Sequence, residues 1–317
     1  MRTVSIVVSL LMAGQALAED PKYSGRVQIR GVVDLGDDET MGHLLLPRAR
    51  FAASAKDAFD RGVAYKFQID FGKGNASLKD FYVDIPLFQR EGVRLRAGQA
   101  KMPFSRQQLT SSSRFALVDR AFTDKLSGAG RDVGVYLHNN FMKSPRVEWA
   151  LGLFNGAGAN TVPSSAAPKV VARLGYNHGG IKGYSEGDLK GGGLRFAVAA
   201  SMMHIPGPAG DRHGPDSDLK AQVDFIVKAW GLSASGGVFY DDGTTEATQS
   251  YHLQLSKRVG DWLPALRYAD GISGTDKSEF RGGVTRFLKG NKYKYQASYG
   301  LIDGDEHQAL AQLQLAF

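Results

Sequence analysis

The feature that most limits what this chain can become is an alternation of apolar and polar side chains that runs, with few interruptions, from about Tyr23 to Phe317. In the run Tyr23 to Asp34, Val27, Ile29 and Gly31 fall on one side and Arg26, Gln28 and Arg30 on the other. Tyr65, Phe67 and Ile69 likewise oppose Lys66, Gln68 and Asp70, and Phe81, Val83 and Ile85 oppose Asp80, Tyr82 and Asp84. A period of two belongs to pleated strands, whose successive side chains point to opposite faces. About 16 such runs follow one another, each roughly ten residues long, the length a tilted strand needs to cross a membrane.

The two faces distinguish a membrane barrel from a soluble β-sandwich, which would hide its apolar face in a dry interior. Here the polar faces carry full charges, while the apolar faces carry aromatic residues near strand ends, as at Trp149, Tyr293, Tyr295 and Tyr299. The connections also alternate. KSP, a bare Gly231, GDW and GN lie on one rim, and GAGANTVPSSAAP, IPGPAGDRHGPDS, DDGTTE and GISGTDK lie on the other. Short turns on one rim and long loops on the other, with an even strand number, are the plan of outer-membrane barrels. One connection, around Gly180 to Gly191, is longer than its rim predicts. The first 18 residues read as a secretory signal peptide: Arg2, the apolar run Val4 to Met12, then Ala16-Leu17-Ala18 as a small-x-small cleavage site. The mature chain is expected to begin at Glu19, with residues 19–317 forming one barrel exported to a bacterial outer membrane. An amphipathic run closing on Phe317 resembles the signal by which such barrels are assembled. Zero cysteines exclude a disulfide scaffold and thiolate chemistry.

One segment breaks the grammar. Alternation holds through Val93, Leu95 and Ala97 against Arg94, Arg96 and Gly98, stops for about 30 residues, and resumes at Asp132. A connection this long among short hairpins is normally functional or disordered. Phe104, Leu109, Phe115, Leu117, Val118, Phe122 and Leu126 are too many apolar anchors for a free tail, and Lys101, Arg106, Arg114, Arg120, Lys125 and Arg131 outnumber Asp119, Asp124 and Asp132. The composition predicts a basic segment packed in a confined place.

At Gly98-Gln99, Lys101, Pro103-Phe104-Ser105, Leu109-Thr110-Ser111-Ser112, Asp119-Arg120-Ala121 and Gly130-Arg131-Asp132-Val133-Gly134-Val135, the chain resembles the phosphate-selective porin O and P family. It departs at Gln107 and Asp119, where the family tends to carry Glu. The resemblance implies a 16-stranded antiparallel transmembrane β-barrel and a homotrimer in lipid and lipopolysaccharide. It also implies that the segment after the fifth strand, about residues 100–131, folds inward as a constriction loop whose basic side chains guide anions.

The charges agree with that expectation. Lys and Arg together number 39 against 32 Asp and Glu, and assigning polar faces to the lumen leaves the bore positive. A positive lumen between low-dielectric walls concentrates anions, and rings of Arg or Lys are how anion pores select. Arg48, Arg50, Arg94 and Arg96, joined by Arg106, Arg114 and Arg120 of the long segment, are the expected anion-contacting residues. Guanidinium forks favour oxyanions such as phosphate or polyphosphate, because two parallel donors meet two oxygens. The expected function is passive diffusion of small anions. The alternatives are a general diffusion porin with weak selectivity and a structural or adhesive outer-membrane barrel. An outer-membrane enzyme finds little support: His204 and His213 flank a Gly/Pro-rich loop, but no serine or paired carboxylate stands near them at a catalytic spacing. No cofactor or metal motif is present, and aromatic and basic residues sit on opposite strand faces, which disfavours nucleic acid.

Overall fold

The computed structural model describes residues 21–35, 40–58, 61–88, 92–126, 128–162, 168–205, 218–242 and 248–317. The signal peptide, Glu19, His213 and most of the loop IPGPAGDRHGPDS lie outside them. Sixteen strands run in order: β1 Lys22–Leu35, β2 Thr40–Ala58, β3 Val63–Asp70, β4 Ser77–Pro86, β5 Arg94–Lys101 and β6 Arg131–His138. Then follow β7 Val147–Phe154, β8 Lys169–His178, β9 Arg195–Ile205, β10 Asp218–Ala229 and β11 Leu232–Asp241. The last five are β12 Thr248–Lys257, β13 Trp262–Ser273, β14 Ser278–Lys289, β15 Tyr293–Ile302 and β16 Glu306–Ala316. Each pairs antiparallel with its sequence neighbour, and β1 pairs with β16, so the sheet closes without an edge. Closure satisfies every strand's backbone groups within the protein, which the bilayer requires.

The alternation read from sequence becomes the barrel's inside and outside. Ile29 is 42 % exposed on the outer wall, while Gln28 beside it is fully buried and donates to Gln314 Oε1 across the β1–β16 seam at 2.6 Å. Phe81, Val83 and Ile85 face outward, and Asp80, Tyr82 and Asp84 inward. Exposed apolar area on this scale would aggregate in water; around a barrel it is the band that meets lipid.

One close approach between strands of the wall depends on glycine. At Gly98 the backbone takes a φ of 121°, and a Cβ there would stand 2.3 Å from the Phe81 carbonyl oxygen on β4. A Gly98→Val variant is expected to lose roughly 2 kcal/mol or more through backbone strain and clash. Urea titration, read by the mobility difference between folded and unfolded barrel, would measure it.

The interior of this barrel is partly solid. Residues 102–130, between β5 and β6, contain two short helices, α1 Arg106–Leu109 and α2 Phe122–Leu126. Met102, Phe104, Leu109 and Ala129 pack with Tyr136, Phe154, Val171, Met203 and Phe239 of the wall from β6 to β11. Ala116 and Leu117 pack on Leu263, Ala265 and Phe287, and Val118 on Val32 and Leu310. Inner-face positions are thus not uniformly polar: where the segment lies on the wall, both surfaces are apolar and exclude water. These contacts reach side chains of strands far apart around the ring.

Candidate functional site: a basic cavity between the inner segment and the wall

The segment's route is set by hydrogen bonds from wall side chains to its backbone, the partners an irregular chain needs when buried. Lys294 Nζ donates to the Phe115 carbonyl at 2.9 Å, Thr285 Oγ1 to Ala116 O at 2.7 Å, and Arg267 Nη1 to Asp119 O at 2.8 Å. At its start, Arg106 is held by Asp224, which accepts from the backbone N at 2.9 Å and from Nε at 2.7 Å. Ser105 caps α1 by accepting from Gln108 N, and its hydroxyl bonds the Asp124 carboxylate. Burial pushes the Asp124 carboxyl above the usual range, opposed by the neighbouring Arg120 guanidinium.

On the opposite side, facing mainly β1 to β6, a cavity of about 590 Å³ remains. Arg26, Arg48, Arg50, Lys66, Arg96, Lys101, Arg114, Arg120 and Arg131 line it, against a single acidic side chain, Asp80. Asp80 accepts from Lys66 at 2.5 Å and Arg131 at 2.7 Å. Arg50 is paired with Asp70 at 2.7 Å. Several of the remaining cations are held by neutral groups. Arg26 donates to the hydroxyls of Ser111 (3.1 Å) and Ser112 (3.0 Å) and has no carboxylate partner among the described residues. Arg48 donates to Gln28 Oε1 at 2.8 Å and stands 4.0 Å from Asp119. Lys101 donates to the carbonyls of Gln108, Leu109 and Thr110. Arg114 is exposed to the cavity, and its guanidinium has no hydrogen bond or ion pair among the described residues. The surplus charge therefore stays available to an entering ion.

Of the arginines expected to contact anions, Arg48, Arg50, Arg96, Arg114 and Arg120 line this cavity. Arg96 sits 4.0 Å over the Tyr82 ring and is bonded to Asp84 at 2.5 Å. Arg120 donates to the Gln107 carbonyl at 3.1 Å and lies 3.4 Å from Asp124; burial pulls its pKa down. Arg94 lies apart, donating to Asp84 Oδ1 (2.8 Å) and the Gly62 carbonyl (2.6 Å). Arg106 is buried at the opposite wall between Asp224 and Glu148, where it fastens the segment. Arg26, Lys66, Lys101 and Arg131 also face the cavity, beyond the arginines expected from sequence to contact anions. For Arg26 and Lys66 the signal was their inner-face position; for Lys101 and Arg131 it was only their place beside each other at the segment's two ends.

The comparisons agree with this architecture. The family described as phosphate-selective porin O and P matches residues 22–172. No curated protein sequence matches the chain. Among solved structures, OprB of Pseudomonas putida at high pH aligns with a TM-score of 0.67 and 9% identity, covering 94% of each chain. OmpF of Salmonella typhi in complex with daunomycin aligns at 0.63 and 11%, covering 94% of this chain and 97% of the other. An anion-selective porin from Comamonas acidovorans aligns at 0.62 and 13%, covering 94% and 99%. At such identities the structural likeness establishes the fold alone. Taken with the family match over residues 22–172, a little under half of the chain, the likeness supports an outer-membrane porin channel similar to the phosphate-selective porin O and P family.

Proposed function

We propose that this porin passes small anions in preference to cations, with residues 102–130 acting as the constriction and phosphate or polyphosphate as the favoured class of solute. The observation that carries the reading is the cavity wall, where nine basic side chains face one acidic side chain. A confined, low-dielectric passage with that imbalance attracts anions and repels cations. A guanidinium held by neutral hydroxyls, as at Arg26, keeps its charge while its position is fixed. The family match and the anion selectivity named for the Comamonas porin support the same reading. A homotrimer embedded in lipid and lipopolysaccharide is the assembly the family implies. Export through the signal peptide of residues 1–18, leaving a mature chain from Glu19, belongs to this reading.

The test is a planar-bilayer recording under a chloride gradient. The reversal potential should report anion over cation permeability, and added phosphate, then polyphosphate, should reduce chloride current at millimolar concentrations or below. A reversal potential of the opposite sign would end the proposal. Unselective current without phosphate block would leave a general diffusion pore.

A further inference from the structure

We infer that the connection between β8 and β9, residues 179–194, is a strut entering from the opposite rim, and that Glu186 is the positioning residue through which it sets the constriction. The inference rests on the anion-pore reading for its effect on selectivity, but not for its effect on pore size. Connections on this rim are otherwise short: β10 reaches β11 through Trp230 and Gly231 alone. Residues 179–194 instead run inward, with Ile181, Tyr184, Glu186 and Asp188 buried. The wall holds this connection firmly. Asp188 accepts from Arg195 and from Gly231 N, both at 2.9 Å, Ser233 Oγ donates to Glu186 O at 2.6 Å, and Gly183 N donates to Ser144 Oγ at 3.0 Å.

From that fixed base Glu186 grips the middle of the constriction segment. Its Oε2 accepts from Ala116 N at 2.8 Å and from Gln254 at 2.9 Å, its Oε1 accepts from Gln107 Nε2 at 3.1 Å, and its backbone N donates to Arg114 O at 3.1 Å. Gln107 in turn accepts from Ala121 N at 3.0 Å through its side chain and from Arg120 Nε at 3.1 Å through its carbonyl. One carboxylate therefore fixes the backbone beside Arg114 directly and the place of Arg120 through Gln107. Glu186 itself does not line the cavity.

This arrangement makes a prediction of unusual sign. A carboxylate acting on ions by its own charge would, when neutralised, raise anion preference; a positioning carboxylate would lower it by releasing the cations it holds. In bilayer recordings Glu186→Ala is expected to lower the anion-to-cation permeability ratio by about fourfold for each cation displaced. Conductance and the size of the largest neutral polymer that enters the pore should both rise. Glu186→Gln keeps one accepting oxygen and should fall between wild type and Glu186→Ala; it also serves if Glu186→Ala does not fold, folding being checked by heat-modifiable migration. A raised anion ratio in either folded variant, or unchanged conductance and polymer cut-off, would overturn the strut. Cation preference in the wild type would instead remove the anion reading, and the polymer cut-off would still decide for or against the strut.

Discussion

If the channel prefers anions as proposed, Arg26→Glu combined with Arg48→Glu should convert it to cation preference. The two residues face the cavity from adjacent strands, where Arg26 lies opposite Arg50 and Arg48 opposite Gln28. Neither has a carboxylate within 3.5 Å among the described residues, Asp119 standing 4.0 Å from Arg48. A unit charge about 5 Å from the ion path is worth roughly 0.8 kcal/mol at the dielectric constant of water and about 3 kcal/mol at an effective constant of 20. Each Arg→Glu change swings two charges, so the pair should move the permeability ratio by well over tenfold. Ser111 and Ser112, which now accept from Arg26, can donate their hydroxyls to a carboxylate, so the segment keeps its tether. Arg94→Gln is the counterpart: Arg94 is absent from the cavity wall and bonded to Asp84 and Gly62, and its loss should leave the reversal potential nearly unchanged. An unaltered ratio in the double variant would remove Arg26 and Arg48 from the ion path.

The largest loss of stability is expected from Arg173→Ala. Arg173 is fully buried and donates to Glu148 at 3.2 Å, to Asp224 at 2.8 and 3.0 Å, and to Ser201 at 2.8 Å. Arg106, coming from the inner segment, shares the same two carboxylates at 3.5 and 2.7 Å. Two arginines balance two acids; removing one leaves a buried negative charge with half its donors gone. Breaking a buried pair in this way costs about 3–5 kcal/mol. Urea unfolding of the detergent-solubilised barrel measures the loss. Asp224→Asn on the Arg173→Ala background should recover part of it, because the orphaned charge goes with the carboxylate. A loss below about 1 kcal/mol would mean that water reaches the site and that the segment is not locked there.

How far the fold was legible follows from which forces are local. A one-residue slip would turn Ile29 inward and Gln28 toward lipid, so the alternation specifies both the face and the register of β1. The same holds for β4 and β15, whose sequence runs lie within their observed bounds or within two residues of them. Alternation fails at His43-Leu44-Leu45-Leu46, so the pattern alone starts the second run at about Leu46, yet β2 begins at Thr40, with a shift in its pairing to β1 near Gln28 and Arg30. The solid part of the interior was not legible either. Val171, Met203 and Phe239 occupy inner positions, and only the arrival of Met102, Phe104 and Leu109 makes an apolar residue suitable there.

The sequence by itself determined the number of strands, which face of each meets lipid, that one connection is too long and too basic to be an ordinary turn, and that the interior is positive. Those properties are carried by near neighbours and by composition. Only the tertiary structure decided which cations face open space. Arg94 and Arg96 share a strand face two residues apart and both bond Asp84, yet Arg94 is also drawn to the Gly62 carbonyl and leaves the cavity wall, while Arg96 stays on it over the Tyr82 ring. Arg106 and Arg120 belong to one segment, yet Asp224, 118 residues beyond Arg106, claims one for the wall and leaves the other at the cavity. Whether a charge attracts an ion or secures the protein depends on all the partners that surround it, and in this barrel those come from paired strands and from the inner segment's contact with the wall rather than from the sequence on either side.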